Sequence, residues 1–290
     1  MLLFKKATSL QCLLNHLRAE GNTIGFVPTM GALHEGHISL IRAAQHDNDY
    51  VVCSIFVNPT QFNDPTDLEK YPRNTAADIG ILADSDCQIL FLPPVDEIYP
   101  GTQNSPETHF DFGYLGQPME GAHRPGHFTG VAMVVHRLLQ IVKPHKLYMG
   151  QKDFQQFIII RKLLEITHSR TRLVCCPIVR EPDGLAMSSR NVLLNKQQRA
   201  QAPLVFQTLC AAKAMTRNST PGQIIDMAMQ ELHKPGMVPE YFEIVDGHSL
   251  LPLQTFENSD FVVACTAVRI GDVRIIDNMI LKKASNMPSL

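Results

Sequence analysis

Between Thr23 and Cys176 the chain repeats one pattern: a short apolar run, a proline or glycine stop, then a stretch of helical period. The runs are Thr23–Val27, Val51–Val57, Gln88–Leu92, Leu147–Met149 and Leu173–Cys176. None alternates apolar with polar residues, so each reads as a strand buried on both faces. Such strands separated by helices fold as a parallel sheet covered on both sides, which is an α/β architecture. The helical stretches lie near 7–20, 35–46, 129–142 and 154–166. Ser9 is the expected cap of the first, and Pro144 the stop of the third.

After about residue 178 the pattern changes. Helical stretches near 196–216 and 221–233 precede Tyr241–Val245, which alternates. Phe261–Val268 and Val273–Ile276 then flank Gly271-Asp272, a hairpin turn signal. Helices followed by antiparallel strands indicate a smaller α+β domain. The expected division is residues 1–178 and 179–290. Residues 93–127 lack periodicity, and a stretch of that length is often functional. Within it, Gly101–Glu107 is expected to be mobile.

Composition excludes several classes. With 290 residues, 44% hydrophobic and a net charge of −2, the chain is neither disordered nor low-complexity. Its 26 basic residues against 28 acidic ones form no long basic run, which argues against a nucleic-acid binder. The seven cysteines include no Cys-x-x-Cys and read as buried reduced thiols. Met1–Lys6 is too short for a signal peptide, and no apolar stretch spans a bilayer. The expected location is the cytoplasm.

Chemistry concentrates at Pro28-Thr29-Met30-Gly31-Ala32-Leu33-His34-Glu35-Gly36-His37. A buried strand ends there, small residues turn the chain, and a helix begins at two histidines. In a parallel sheet that is the carboxyl edge, where ligands bind. A helix start offers N–H groups and a positive dipole end to phosphate. His34 and His37 share one helical face, and as imidazoliums could neutralise or protonate a phosphate. Gly31 and Gly36 could let a base or phosphate approach the backbone. A structural role for either histidine alone is the commoner case. The pair lacks the spacing and inner glutamate of a zinc protease helix, and the chain contains no phosphate-binding loop of the G-x-x-x-x-G-K type.

Basic groups for phosphate must come from elsewhere. Gly150-Gln151-Lys152-Asp153 follows a candidate strand, so Lys152 can meet phosphate while Asp153 caps a helix or touches a ribose or Mg²⁺. Met187-Ser188-Ser189-Arg190-Asn191 combines hydroxyls with a guanidinium, a set that suits phosphate oxygens or a polar linker equally. Gln61 and Gln156 are neutral amides near the same edge. Arg124-Pro125-Gly126-His127-Phe128 opens the long helix as an anion site or a rigid turn.

Six ordered segments together resemble the pantoate–β-alanine ligases (pantothenate synthetases), within the nucleotidyltransferase superfamily that carries a His-x-Gly-His element. They are Phe26–His37, Ser54–Phe62, Tyr71-Pro72-Arg73, Arg124–Phe128, Gly150–Gln156 and Asp183–Asn191. The resemblance implies a Rossmann-like N-terminal domain, a smaller lid domain and a homodimer. It implies an ATP- and Mg²⁺-dependent route on the way to coenzyme A, in which (R)-pantoate becomes pantoyl adenylate with release of pyrophosphate. β-Alanine then attacks to give pantothenate and AMP.

Carried over residue by residue, ATP contacts are Met30, Gly31, Ala32, Leu33, His34, Glu35, Gly36 and His37, Gly150, Gln151, Lys152 and Asp153, and Val179, Met187, Ser188, Ser189 and Arg190. His37 is the family's proton donor, and Gln61 and Gln156 hold pantoate, with Gln61 also near β-alanine. Gln151 stands where the family commonly has Glu, and Phe154 where it has Tyr.

The chemistry fits these residues. A carboxylate must be activated because its oxygen is a poor leaving group, and both partners at the α-phosphorus are anionic. His34, His37, Lys152 and Arg190 can supply the positive charge that lets them meet. A rival transferase acting on a phosphorylated acceptor would ask for further Arg or Lys where Gln61 and Gln156 stand.

Overall fold

Six strands form one wholly parallel sheet in the computed structural model, which describes residues 1–62, 65–101 and 110–283. They are β1 (Leu2–Phe4), β2 (Ile24–Thr29), β3 (Tyr50–Ile55), β4 (Ile89–Phe91), β5 (Lys146–Gly150) and β6 (Arg172–Cys176). Their order is β1-β4-β3-β2-β5-β6. The chain builds outward from β2 through β3 and β4, then returns to lay β5 on the other side of β2. The direction of winding therefore reverses between β2 and β5, and ligands of doubly wound sheets bind at the carboxyl end of that switch point.

The first unit comprises Met1–Phe112, Arg124–Gly150 and Ile159–Cys176. Its helices are α1 (Ala7–Ala19), α2 (Glu35–Asp47), α3 (Pro65–Lys70), α4 (Thr75–Asp84) and α5 (Val95–Ile98). After α6 (Glu120–His123), which belongs to the second unit, α7 (His127–Val142) completes the set, with the later part of α8 (Phe154–Ile166). Helix α2 packs on β2, β3, β5 and β6, where Ile41, Ala44, Val27, Val51, Cys53 and Tyr148 share a core. Helix α7 packs against β2 and α1. Successive residues Ile24–Val27 are all buried, as a strand covered on both faces requires.

The second unit comprises Gly113–His123, Gln151–Ile158 and Pro177–Leu290. The chain thus passes between units near the expected boundary at 177–180 and at four earlier points as well. Its sheet is antiparallel, in the order β7 (Met237–Asp246), β8 (Phe261–Ile270) and β9 (Val273–Lys283). Helices α9 (Lys196–Gln201), α10 (Leu204–Met215) and α11 (Pro221–Leu232) join this unit, and α10 and α11 share its core with Phe242, Ile244, Ala264, Val268 and Ile275. Gly271 has φ 57°, the positive value that a type II′ turn needs at its first central position.

Several local expectations are corrected. Ser9 does not cap α1: the helix starts at Ala7, whose N–H donates to Glu97 Oε1 at 2.8 Å. Pro28 does not end β2, which runs on to Thr29 against β3. It ends only the pairing with β5, which stops at Phe26, because proline has no N–H to donate. The stretch 196–216 is two helices broken ahead of Pro203. Strand β1 has only three residues and gave no pattern. Of the cysteines, Cys12 and Cys210 are exposed rather than buried, and all seven are free thiols. In the segment expected to be mobile, 102–107 lie outside the described residues.

Candidate active site

The turn after β2 is built around a buried carboxylate. Thr29 Oγ1 donates to Ser54 O at 2.7 Å and accepts from Gly31 N at 3.2 Å, which bends the chain. Gly31 has φ 80°, and a Cβ there would lie 2.8 Å from Asp78 Oδ2. Asp78, in the first turn of α4, accepts from Ala32 N at 2.9 Å and Leu33 N at 2.8 Å. The small residue at 31 therefore makes room for a protein carboxylate, where the sequence suggested room for a ligand. Leu33 turns its side chain into the core beside Ile41. The same carboxylate thus takes two backbone donors of this turn.

The two histidines close α2 reciprocally. His34 is the N-cap residue, and its Nδ1 accepts from Gly36 N at 3.1 Å. His37 Nδ1 accepts from His34 N at 3.3 Å. This is a capping box in which imidazoles replace the usual hydroxyl and carboxylate. The rings stand 4.1 Å apart between centroids, and both residues are half-buried. Because each Nδ1 accepts an N–H, the ring proton sits on Nε2. Of the remaining residues here, Met30, Ala32 and Gly36 are half-buried, and Glu35 is exposed in an ion pair with Arg42.

Gln61 leaves the neighbouring strand. Asn58, buried after β3, donates to Gly130 O on α7 at 3.1 Å and accepts from Tyr99 OH at 2.9 Å and Thr60 Oγ1 at 3.0 Å. A Cβ at Gly130 would collide with the Thr60 carbonyl, so α7 and the single turn Pro59–Gln61 need glycine to meet. His127 Nδ1 donates to the carbonyl of Gln61 at 2.9 Å, and Arg124 Nη1 lies 3.2 Å from His127 Nε2. The Arg124–His127 motif therefore fixes the backbone of Gln61. Asn58, Asp78 and His127 are positioning residues that sequence reasoning did not single out for this purpose.

The second unit holds the other candidates. Lys152 and Asp153 lie on the short turn Gln151–Asp153 that follows β5, with Lys152 Nζ 3.7 Å from Asp153 Oδ1. Gln156 is half-buried one turn into α8, beside Gln155. The buried Gln155 accepts from Glu120 N at 3.0 Å and donates to Leu115 O and Pro118 O, both at 2.9 Å. Val179 and Met187–Arg190 are half-buried on either side of a small hairpin, where Met187 N donates to Val179 O at 3.0 Å. Ser188 caps the turn Ser189–Leu193, accepting from Arg190 N at 3.3 Å. Each unit thus gathers its own candidates: His34, His37 and Gln61 at adjoining strand ends in the first, Lys152, Gln156 and Ser188–Arg190 in the second.

The family model for pantoate-beta-alanine ligase matches residues 2–280. A pantothenate synthetase of Porphyromonas gingivalis is 47% identical over 281 residues, covering 96% of this chain and 99% of the relative. One from Bacteroides fragilis is 44% identical over 277 residues, covering 95% and 97%. The crystal structure of pantothenate synthetase from Thermus thermophilus superposes with a TM-score of 0.91 at 35% identity, covering 97% and 100%. That of the Francisella tularensis pantoate-beta-alanine ligase, complexed with beta-gamma ATP and beta-alanine, superposes with a TM-score of 0.80 at 35% identity, covering 98% and 99%. Matched along almost its whole length in both sequence and fold, this chain is a member of the pantoate–β-alanine ligase family.

Proposed function

We propose that the family's reaction, ATP-dependent condensation of (R)-pantoate with β-alanine to pantothenate, runs here in two steps at the carboxyl edge of the parallel sheet. In the first step a pantoate carboxylate oxygen attacks the α-phosphorus, the bond to pyrophosphate breaks, and pantoyl adenylate forms. In the second the β-alanine amine attacks the acyl carbon, loses a proton, and AMP leaves. The observation that carries this reading is the His34–His37 capping box at the carboxyl end of β2, beside the switch point.

In this reading His34 and His37 present Nε2–H to the triphosphate, with His37 nearest the departing pyrophosphate. Hydrogen bonds from fixed donors stabilise charge that grows in the transition state, because they need no reorganisation. Lys152 and Arg190 add positive charge, Gly150–Asp153, Val179 and Met187–Ser189 line the nucleotide, and Met30–Gly36 supply its floor. Gln61 and Gln156 hold pantoate, and Gln61 also faces β-alanine. Neutral amides recognise hydroxyl and carboxylate without adding charge. The second unit acts as a lid that keeps water from the adenylate.

Mg²⁺ would arrive on ATP. Among the described residues no group of three or more His, Cys, Asp or Glu side chains gathers into a cage. The half-exposed Asp153 carboxylate beside Lys152 suits an ion held mostly by phosphates and water, which is how Mg²⁺ binds in such sites. When bound, it would neutralise phosphate charge.

A homodimer in the cytoplasm completes the proposal, and sedimentation of the purified chain would test the dimer. No helix of the described residues is long and apolar enough to cross a membrane. The decisive experiment follows labelled ATP. Pyrophosphate is expected only when pantoate is present, and AMP only once β-alanine is added. Pyrophosphate release without pantoate would overturn the order of steps.

A further inference from the structure

Two consecutive residues of β9 hold both of the second unit's phosphate-directed segments. Neighbouring side chains on a strand point to opposite faces of the sheet, and Asp277 and Asn278 use both. Asn278, 2% exposed, donates from Nδ2 to Gln151 O and to Lys152 O, each at 2.9 Å. Its Oδ1 accepts from Gln151 Nε2 at 3.0 Å. The turn Gln151–Asp153 is a single 3-10 turn, and two of its three carbonyls are satisfied by this one amide. The Lys152–Asp153 ion pair, at 3.7 Å, is too loose to fix the lysine by itself.

Asp277, 3% exposed, accepts from Arg180 Nη1 at 2.6 Å and Nη2 at 3.0 Å, a two-pronged pair. Arg180 Nη1 also donates to Gly184 O at 3.0 Å, and its guanidinium lies 4.1 Å from the ring centre of Phe206. Arg180 pairs across the small hairpin with Ala186, immediately before Met187–Arg190. Asp277 Oδ1 finally accepts from Asn278 N at 2.7 Å, so the two residues are also tied to each other.

We propose that Asp277 and Asn278 are positioning residues of the ligase reaction: β9 sets the spacing between Lys152 and the Ser188–Arg190 turn so that both meet one triphosphate. The proposal rests on the reading above that Lys152 and Arg190 act on phosphate. It assigns a role in catalysis to a strand that touches no substrate. It also gives Gln151 a function, since its amide donates to Asn278 Oδ1, which an ionised carboxylate, having no hydrogen to donate, could not do.

The test is a double-substitution cycle in the full-length enzyme, read as the rate of pantoate-dependent pyrophosphate release. Asn278→Ala is expected to lower that rate by roughly ten- to a hundredfold, the scale of a displacement near 1 Å, with the urea midpoint followed in parallel. In a Lys152→Ala background the same substitution should cost less than about twofold, because residues acting through one another are not additive. Equal losses in the two backgrounds would mean that Asn278 supports the fold alone and would overturn the proposal. A Lys152→Ala rate equal to wild type would instead defeat the underlying reading of the site. Asn278→Asp, similar in shape but without the two donors, is expected to behave as Asn278→Ala; wild-type rates in that variant would likewise refute the clamp.

Discussion

The two units hold their functional segments in different ways. In the first, the segment Met30–His37 is fixed mainly by itself: Thr29 bends it, and the histidines cap it across three residues. Asp78 reaches in from helix α4. In the second, Asn278 bonds the backbone of Lys152, and Asp277 holds Arg180 in the hairpin that leads into Ser188–Arg190, both from about a hundred residues away in sequence. Self-capped segments keep their shape when the surroundings move. Segments clamped from a strand move with that strand, which suits a unit proposed to close over a substrate.

Substitutions can break this contrast, and the largest effect belongs to the clamp. Asp277→Asn leaves Arg180 as an uncompensated charge, with the two side chains only 19% and 1% exposed. Breaking a buried pair in this way costs about 3–5 kcal/mol, so the urea midpoint should fall steeply. A loss under about 1 kcal/mol would show that the hairpin does not depend on β9.

Next comes Asp78→Ala. It strands the N–H groups of Ala32 and Leu33, and an unsatisfied buried donor costs about 1–3 kcal/mol. Stability should fall by about 2–3 kcal/mol, and pyrophosphate formation should fall with it. Full activity would mean that the turn needs no anchor beyond Thr29 and its caps.

A smaller effect separates capping from chemistry. His34→Ala removes an N-cap acceptor, worth about 1 kcal/mol. His34→Asn restores an acceptor at that position, so thermal stability should return while pyrophosphate formation stays low. Recovery of both would reduce His34 to a cap.

The smallest effect is acid-dependent and confined to the first unit. Hydrogen bonds from His46, Lys146 and Tyr148 hold the Asp47 carboxyl at about 2, below the usual value of about 3.9. A depressed carboxylate stabilises the fold above its unfolded value, and that contribution is lost as pH falls through about 2. Asp47 is a third exposed, so solvent screening keeps the contribution below about 1 kcal/mol. Asp47→Asn should flatten the decline of stability between pH 4 and 2; an unchanged slope would remove Asp47 from the acid response.

What the sequence made legible follows the same division. Helices α2 and α8 were readable almost to the residue, because apolar period and cap lie in one short stretch. The histidine pair was readable for the same reason, although its protonation was not, since that depends on which N–H each Nδ1 accepts. Pro28 misled because a proline ends pairing only on the side where its N–H would point. Glu97 at the start of α1, Asp78 beneath Gly31 and Asn278 beneath Lys152 left no local mark. Each acts across a separation set by topology, where its neighbours in sequence carry no information.

The central claim is that the ring of His37, capped through Nδ1, lends Nε2–H to the phosphates during adenylation. Single-turnover pyrophosphate formation by His37→Ala tests it most directly. The account predicts a fall of about a hundred- to a thousandfold, the scale of one lost transition-state donor, with ATP affinity changing far less. A rate equal to that of the unaltered enzyme would contradict it.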